Sequence, residues 1–319
     1  MGALDWSYPW VGRTRVCLST TFPVPVLLLV FRRPEAVRQL LAVLRQVRPS
    51  RLFLACDAPR PDRPEEDLLV AATQRLLEQE IDWPCEVYRQ YQTVNQGCRA
   101  AVITAVDWFF SQVEEGIILE DDILPDPSFF DYCADLLVRY RDDPQVGLIS
   151  GSCFRPWSPE TASYRFSRFP FIWGWASWRR AWQQYDPTMG DWHERRDGRW
   201  LRQLGGRRFE RYWRSCFDRA AAPDNDSIWD YAWTYSCWTR NMLCCVPAVN
   251  LCRNIGFGEG ATHTLQGVNP AAEAAALPLP LVHPPQVDVS PAWDRACFDF
   301  FFAPSLLRRI LRRLMRRYV

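Results

Sequence analysis

No apolar stretch of this sequence is long enough to cross a membrane: the longest, "PVPVLLLVF", is about half the length a spanning helix needs. Asp5 and Trp6 stand where an export signal would be basic and then apolar, so a cytoplasmic protein is expected. No glycine-rich loop follows the first apolar run. "FRRPE" occupies that place, which argues against both a P-loop NTPase and a Rossmann dehydrogenase. The one cysteine grouping (Cys237, Cys244, Cys245, Cys252) contains no Cys-x-x-Cys, so structural zinc is not expected and the twelve cysteines read as reduced, mostly core thiols. Histidine is scarce, and His193 and His283 lack supporting context.

What is present is a folded protein with a local peculiarity. Hydrophobic residues at 48% and charged residues at 24% exclude wholesale disorder. Of the 16 tryptophans, most lie between Trp157 and Trp238, an excess that belongs to one region. The formal charge of +1 hides an asymmetry: the last turns are arginine-rich and free of acids, which leaves the rest of the chain acidic. An acidic body is a poor general nucleic-acid binder, and no nucleic-acid partner is expected.

From Val24 the chain alternates. "VPVLLLVF", "RLFLACDA", "CEVYRQ", "GIILEDD" and "VGLISG" read as strands. Between them lie helices: one with Pro34 in its first turn, one over 65–80 with Leu68, Leu69, Ala72, Leu76 and Leu77 as its stripe, one over 96–113, and one opened by Asp126 and Pro127. Such alternation predicts an α/β fold, a mainly parallel sheet covered by helices, with ligands outside the carboxyl ends of the strands. Asp57, Asn95 and the triplet Glu120-Asp121-Asp122 all fall at those ends.

The triplet admits two readings. It is a solvated strand end with Asp126 capping the next helix, or it is a cation site, because adjacent carboxylates repel unless a cation sits beside them. Oxygen-only donors favour Mg²⁺ or Mn²⁺, which also bind substrate phosphates. A nucleotide site without a glycine-rich loop needs such a metal, or arginines, to neutralise its phosphates.

Seven stretches bear a resemblance: "FRRPE", "DAPR" from Asp57, "NQGCRAAV" from Asn95, "EGIILEDDILPDPSFF", "FIWGWASWRRAWQQYD", "WDYAW" and "NIGFGEGATHT". Together they resemble the GT-A-fold nucleotide-diphospho-sugar transferases, specifically bacterial glycosyltransferases of the family-2-like kind, some labelled haemolytic protein. The motif order is also similar to that of N-acetylglucosaminyltransferase I. The resemblance implies a Rossmann-like GT-A fold in which Asp122 ligates Mn²⁺ on the donor diphosphate and Asp121 faces the ribose. It further implies that Asp57 contacts the base and that the turn holding Asn95, Gly97 and Arg99 lies near the nucleotide. Arg32 stands where relatives have asparagine, and a guanidinium suits a diphosphate. Glu120 belongs to the same donor-binding group without an assigned role.

Residues 1–23 read as an extension, 24–150 as the nucleotide-sugar-binding half, 151–268 as an acceptor and catalytic half, and 269–304 as a Pro/Ala-rich linker. In the second half Trp173 and Trp175 flank Gly174, and indole faces carry sugar faces well; Trp178 and Trp182 read as core. Sugar transfer with inversion needs a base for the acceptor hydroxyl. Asp230 matches the resembling families' Trp-Asp element and is the first candidate; Asp226 is the capping candidate and the reserve base. Gly258 and His263 fall in a stretch read as a loop closing over the donor. Residues 305–319 read as a basic amphipathic helix, lying on the anionic inner face of a membrane or docking on a protein surface.

The expected activity is metal-dependent sugar transfer, by direct displacement, from a nucleotide-diphosphate sugar to a glycan or lipid-linked acceptor such as cell-envelope polysaccharide. A sugar-nucleotidyltransferase and a non-catalytic carbohydrate-binding protein are the alternatives.

Overall fold

The computed structural model describes residues 21–157, 161–256 and 271–303. The basic helix expected over 305–319, all but the last three residues of the extension, and the loop stretch with Gly258 and His263 lie outside the described residues.

The first half runs β1 (Val26–Val30), α1 (Pro34–Val47), β2 (Arg51–Cys56), α2 (Glu65–Glu80), β3 (Glu86–Tyr91), α3 (Cys98–Gln112) and β4 (Glu115–Glu120). A short β5 (Ile123–Pro125), α4 (Ser128–Arg139) and β6 (Val146–Ser150) follow. The second half holds β7 (Tyr164–Ser167), β8 (Trp175–Trp178), short α5 (Arg179–Trp182) and α6 (Trp192–Arg195), α7 (Trp200–Ala220), α8 (Asp230–Thr239), β9 (Leu243–Pro247) and β10 (Cys252–Asn254). Helix α9 (Pro291–Cys297) then runs into a π-helical turn over Phe298–Phe302.

Eight strands form one sheet in the order β3-β2-β1-β4-β8-β6-β9-β7. Strands β1, β2, β3 and β4 pair in parallel, as the alternation predicts. Strand β6, expected beside them, is separated from β4 by β8, which is antiparallel to both. The tryptophan-rich stretch of the second half thus enters the middle of the sheet.

Both faces of the central strands are covered, so β1, β4 and β6 are dominated by apolar runs, whereas the edge strand β3 is polar and has no buried residue. On β1, Leu27 points into one core while Val26, Leu28 and Val30 point into the other. Helix α1 buries Val37, Leu40, Leu41 and Leu44, one face at helical spacing. Helix α2 differs from expectation: Leu68 is 79% exposed and Leu69 is exposed too. Its buried stripe is Glu66, Val70, Thr73, Leu76 and Leu77. A carboxylate displaced leucine because Glu66 is paired, as the site shows.

The tryptophan excess is a packing device. Trp175, Trp182, Trp192, Trp213, Trp229, Trp233 and Trp238 share one core with α3 and the α7–α8 pair. Several buried indoles have hydrogen-bond partners, as such groups require: Trp178 Nε1 donates to the Leu137 carbonyl at 3.2 Å and Trp182 Nε1 to Asp107 at 2.6 Å. The stretch expected as a linker joins the same core through Trp293, Cys297 and Phe298. All eleven described cysteines are free of disulfides, and most are buried.

Candidate functional site

The parallel strands β2, β1 and β4 end side by side, and a cleft of about 510 Å³ opens there. That volume suits a small-molecule ligand. Arg32, Asp57, Asn95, Gly97, the whole triplet, Trp173 and Asp226 line it. Residues from six separate segments of the sequence therefore converge.

Asp57 follows β2 and holds the turn between β3 and α3. Its carboxylate accepts from the Ala58 N–H at 2.9 Å, the Asn95 side chain at 3.0 Å, the Gln96 N–H at 3.0 Å and the Gly97 N–H at 3.1 Å. Burial pushes its pKa up, opposed by the backbone N–H donors. Gly97 has a φ of 78°, a conformation glycine adopts without penalty. This turn delivers the N-terminus of α3 to the cleft, where the Arg99 N–H donates to the Asp226 carbonyl at 3.0 Å and ties the two cleft-lining segments together.

The triplet is held by an arginine that sequence reasoning passed over. Arg33 Nη1 lies 2.9 Å from Asp121 Oδ1 and 2.7 Å from Asp122 Oδ2. The Phe31 N–H donates to the other Asp121 oxygen at 3.1 Å. Burial pushes Asp121 up to about 6, with the Asp122 charge adding and Arg33 opposing. Glu120 is pushed up to about 8, by burial first and then by Asp122, Asp121 and Asp230. The triplet is thus a concentration of carboxylates partly neutralised by one guanidinium.

Arg32, the arginine singled out from sequence, has a different partner. Its Nη1 lies 3.3 Å from Glu66 Oε1, and Arg60 Nε donates to both oxygens of the same carboxylate at 3.1 and 3.0 Å. The Glu66 side chain is 0% exposed. One buried carboxylate thus arrays two guanidiniums on the cleft wall, which explains its place on the α2 stripe. A glutamate on an apolar helix face was the signal that could have found Arg60.

Strand β10 backs the triplet. It pairs antiparallel with β5, and the Ile255 N–H donates to the Asp122 carbonyl at 2.8 Å. Gly256 then passes so close that a Cβ there would stand 2.0 Å from Asp122 Oδ2.

The remaining candidates scatter. Arg99 is not part of the cleft lining; its guanidinium donates to the Pro187 carbonyl at 2.5 Å. Trp175, expected with Trp173 at the pocket, is 1% exposed in the core, because its position on central strand β8 turns it inward. Gly174 serves packing: a Cβ would meet Cys252 Sγ at 2.4 Å. Asp226 lines the cleft and is exposed, whereas Asp230 begins α8 without lining it. Asp226 does not cap α8; Asn225 organises that turn, accepting from the Ile228 N–H at 2.8 Å and donating to the Ala220 carbonyl at 2.9 Å. Cys98, also missed, is an exposed residue of the cleft lining whose thiol is pushed up by desolvation and then by the surrounding carboxylates Glu120, Asp230, Asp226 and Asp57.

Asp121 and Asp122 converge on a single cationic nitrogen, so the pair is placed to share a cation, and its oxygen donors suit Mg²⁺ or Mn²⁺. Among the described residues, no group of three or more His, Cys, Asp or Glu side chains forms a metal cage.

No family model and no curated protein matches the sequence. Solved structures match in part. A mannosyltransferase from Pyrobaculum calidifontis, in complex with GDP-Man and Mn²⁺, is 16% identical over 50% of this chain and 45% of its own, with a TM-score of 0.34. The inositol-1-phosphate CTP transferase of T. maritima is 11% identical over 71% of this chain and 85% of its own, at 0.37. The 4-diphosphocytidyl-2C-methyl-D-erythritol synthase of Anaerococcus prevotii is 9% identical over 69% and 86%, at 0.35. This chain spans less than half the length of the mannosyltransferase.

Proposed function

We propose that the cleft binds a nucleotide-diphosphate sugar and transfers its sugar to an acceptor hydroxyl. The observation that carries this reading is that a carboxylate pair sharing a cation and the guanidiniums of Arg32 and Arg60 line one cleft. A ligand suited to such a rim carries both a metal-binding and an arginine-binding anion, which a diphosphate does.

Asp57 and Asn95 order the turn over which the nucleoside lies, and Asp121 faces the ribose. Arg32 and Arg60 take diphosphate oxygens, held ready by Glu66 so that little reorganisation accompanies binding. Asp122 would hold the metal ion, with Asp121 beside it, and the ion would supply charge neutralisation to the departing diphosphate. Trp173 offers the sugar an indole wall. Asp226, exposed in the cleft, is the base that takes the acceptor proton, with Asp230 behind it as the second candidate. The acceptor in this reading is a glycan or a lipid-linked acceptor.

The direct test is Asp122→Ala, with Mn²⁺-dependent binding of nucleotide-diphosphate sugars followed by calorimetry. The variant is expected to keep its fold and lose donor binding and turnover; unchanged turnover would sink the assignment.

A further inference from the structure

Helix α7 breaks at Gly206, whose φ of 84° lies in the left-handed region. Beyond the break Arg207, Glu210, Arg211, Arg214 and Asp218 recur at three- and four-residue intervals and so share one helix face. Glu210 is 6% exposed. It accepts from Arg214 Nη2 at 3.0 Å and, across the break, from Arg202 Nε at 2.7 Å. In a straight helix Arg202 and Glu210 would be about 12 Å apart along the axis.

Asp218 is already engaged, by Arg196 at 2.8 and 3.0 Å and by Trp192 Nε1 at 3.1 Å. Arg207 and Arg211 are exposed and have no carboxylate partner among the described residues. The Nε of Arg214 is buried without a hydrogen-bond acceptor in the protein. Together these side chains line a groove of about 360 Å³ that shares no residue with the cleft. Four guanidiniums face two carboxylates there, both committed, and the chain contains no lysine, so every fixed cation is a planar fork.

We propose that this groove is a second anion site, one that binds a phosphoryl group. The uncompensated charge matches a phosphate ester, which carries about −1.5 to −2 at neutral pH. Paired guanidinium forks match its oxygens. The proposal is independent of the reading of the cleft.

The experiment titrates inorganic pyrophosphate into the full chain, the Arg207→Gln/Arg211→Gln variant and the cleft variant Arg32→Gln. Both groove residues are exposed, so the double variant should keep its melting temperature without ligand. Pyrophosphate affinity is expected to fall about tenfold or more in the groove variant, while a groove component persists in the cleft variant. Flotation with phosphatidylcholine vesicles, with and without phosphatidic acid, separates the sources. Phosphatidic-acid-dependent flotation lost in the groove variant assigns a lipid headgroup, and pyrophosphate binding without flotation assigns a soluble phosphate. Pyrophosphate binding unchanged in the groove variant, binding abolished by Arg32→Gln alone, or no binding and no flotation would each overturn the proposal.

Discussion

Gly256 lies against the Asp122 carboxylate so closely that a single methyl group there would sit 2.0 Å from Oδ2. The contact ties the end of β4 to the chain leaving β10, joining the two halves of the sequence at the carboxylate proposed to hold the metal. Gly256→Ala must therefore move Asp122 or the backbone beside it. Donor affinity in Mn²⁺ is expected to drop by about tenfold or more, from about 1.4 kcal/mol of misplacement, with melting temperature changing little. Calorimetry with Mn²⁺ reads the outcome, and wild-type affinity would show that the contact is slack.

Arg33 and Arg32 are adjacent but should behave differently. Losing Arg33 leaves Asp121 and Asp122 facing one another without their cation. Arg33→Gln is expected to lower stability by about 1–3 kcal/mol in metal-free buffer, partly restored by Mn²⁺. Arg32→Gln breaks a looser contact and should cost less. Urea titrations of both variants, with and without Mn²⁺, decide this; equal costs would contradict the division of roles.

Glu66 supplies a pH signature. Hydrogen bonding from Arg60 comes first among the causes that hold its pKa below the ordinary carboxylate value. A depressed folded-state value means stability that is present above the unfolded-state value, about 4.3, and lost as pH falls through the folded one. Glu66→Gln should therefore be less stable than the wild type by about 1–3 kcal/mol at neutral pH, and the gap should close in acid. A gap that is constant with pH would mean that packing, not charge, is lost.

Trp173 and Trp175 separate core from cleft. Trp175→Ala removes a fully buried indole and is expected to cost about 3–5 kcal/mol. Trp173→Ala should change stability much less and weaken binding of the nucleotide sugar relative to the free nucleotide. Denaturation and binding measured on both variants provide the check.

For the base, Asp226→Asn is expected to lower kcat by about 10²–10⁴ with donor affinity preserved. Asp230→Asn should lower it less. The reverse order in steady-state kinetics would return the role to Asp230.

Much of the first half was legible because its signals are local. Strand runs, the Pro34 start of α1 and the extent of α2 follow from periodicity and backbone chemistry within a few residues. The convergence of Asp57, Asn95 and the triplet follows from one further rule, that parallel strands present their carboxyl ends on one side. The choice between Arg32 and Arg33 was not legible, since neighbouring residues at a strand end differ only in which way the backbone turns them. Trp173 and Trp175 differ for the same reason: β8 was not recognisable as a central strand, because its partners β4 and β6 lie far from it along the chain.

By itself, then, the sequence determined the alternating α/β layout and the acidic rim, because both are written in short-range pattern and charge. Only the tertiary structure decided that β8 divides the parallel strands and that Arg33 clamps the triplet. It also decided that Glu66 is buried to array two arginines and that Gly256 closes on Asp122. Apart from the Arg60–Glu66 pair, six residues apart, each of these is a contact between distant segments, set by packing that no local window contains.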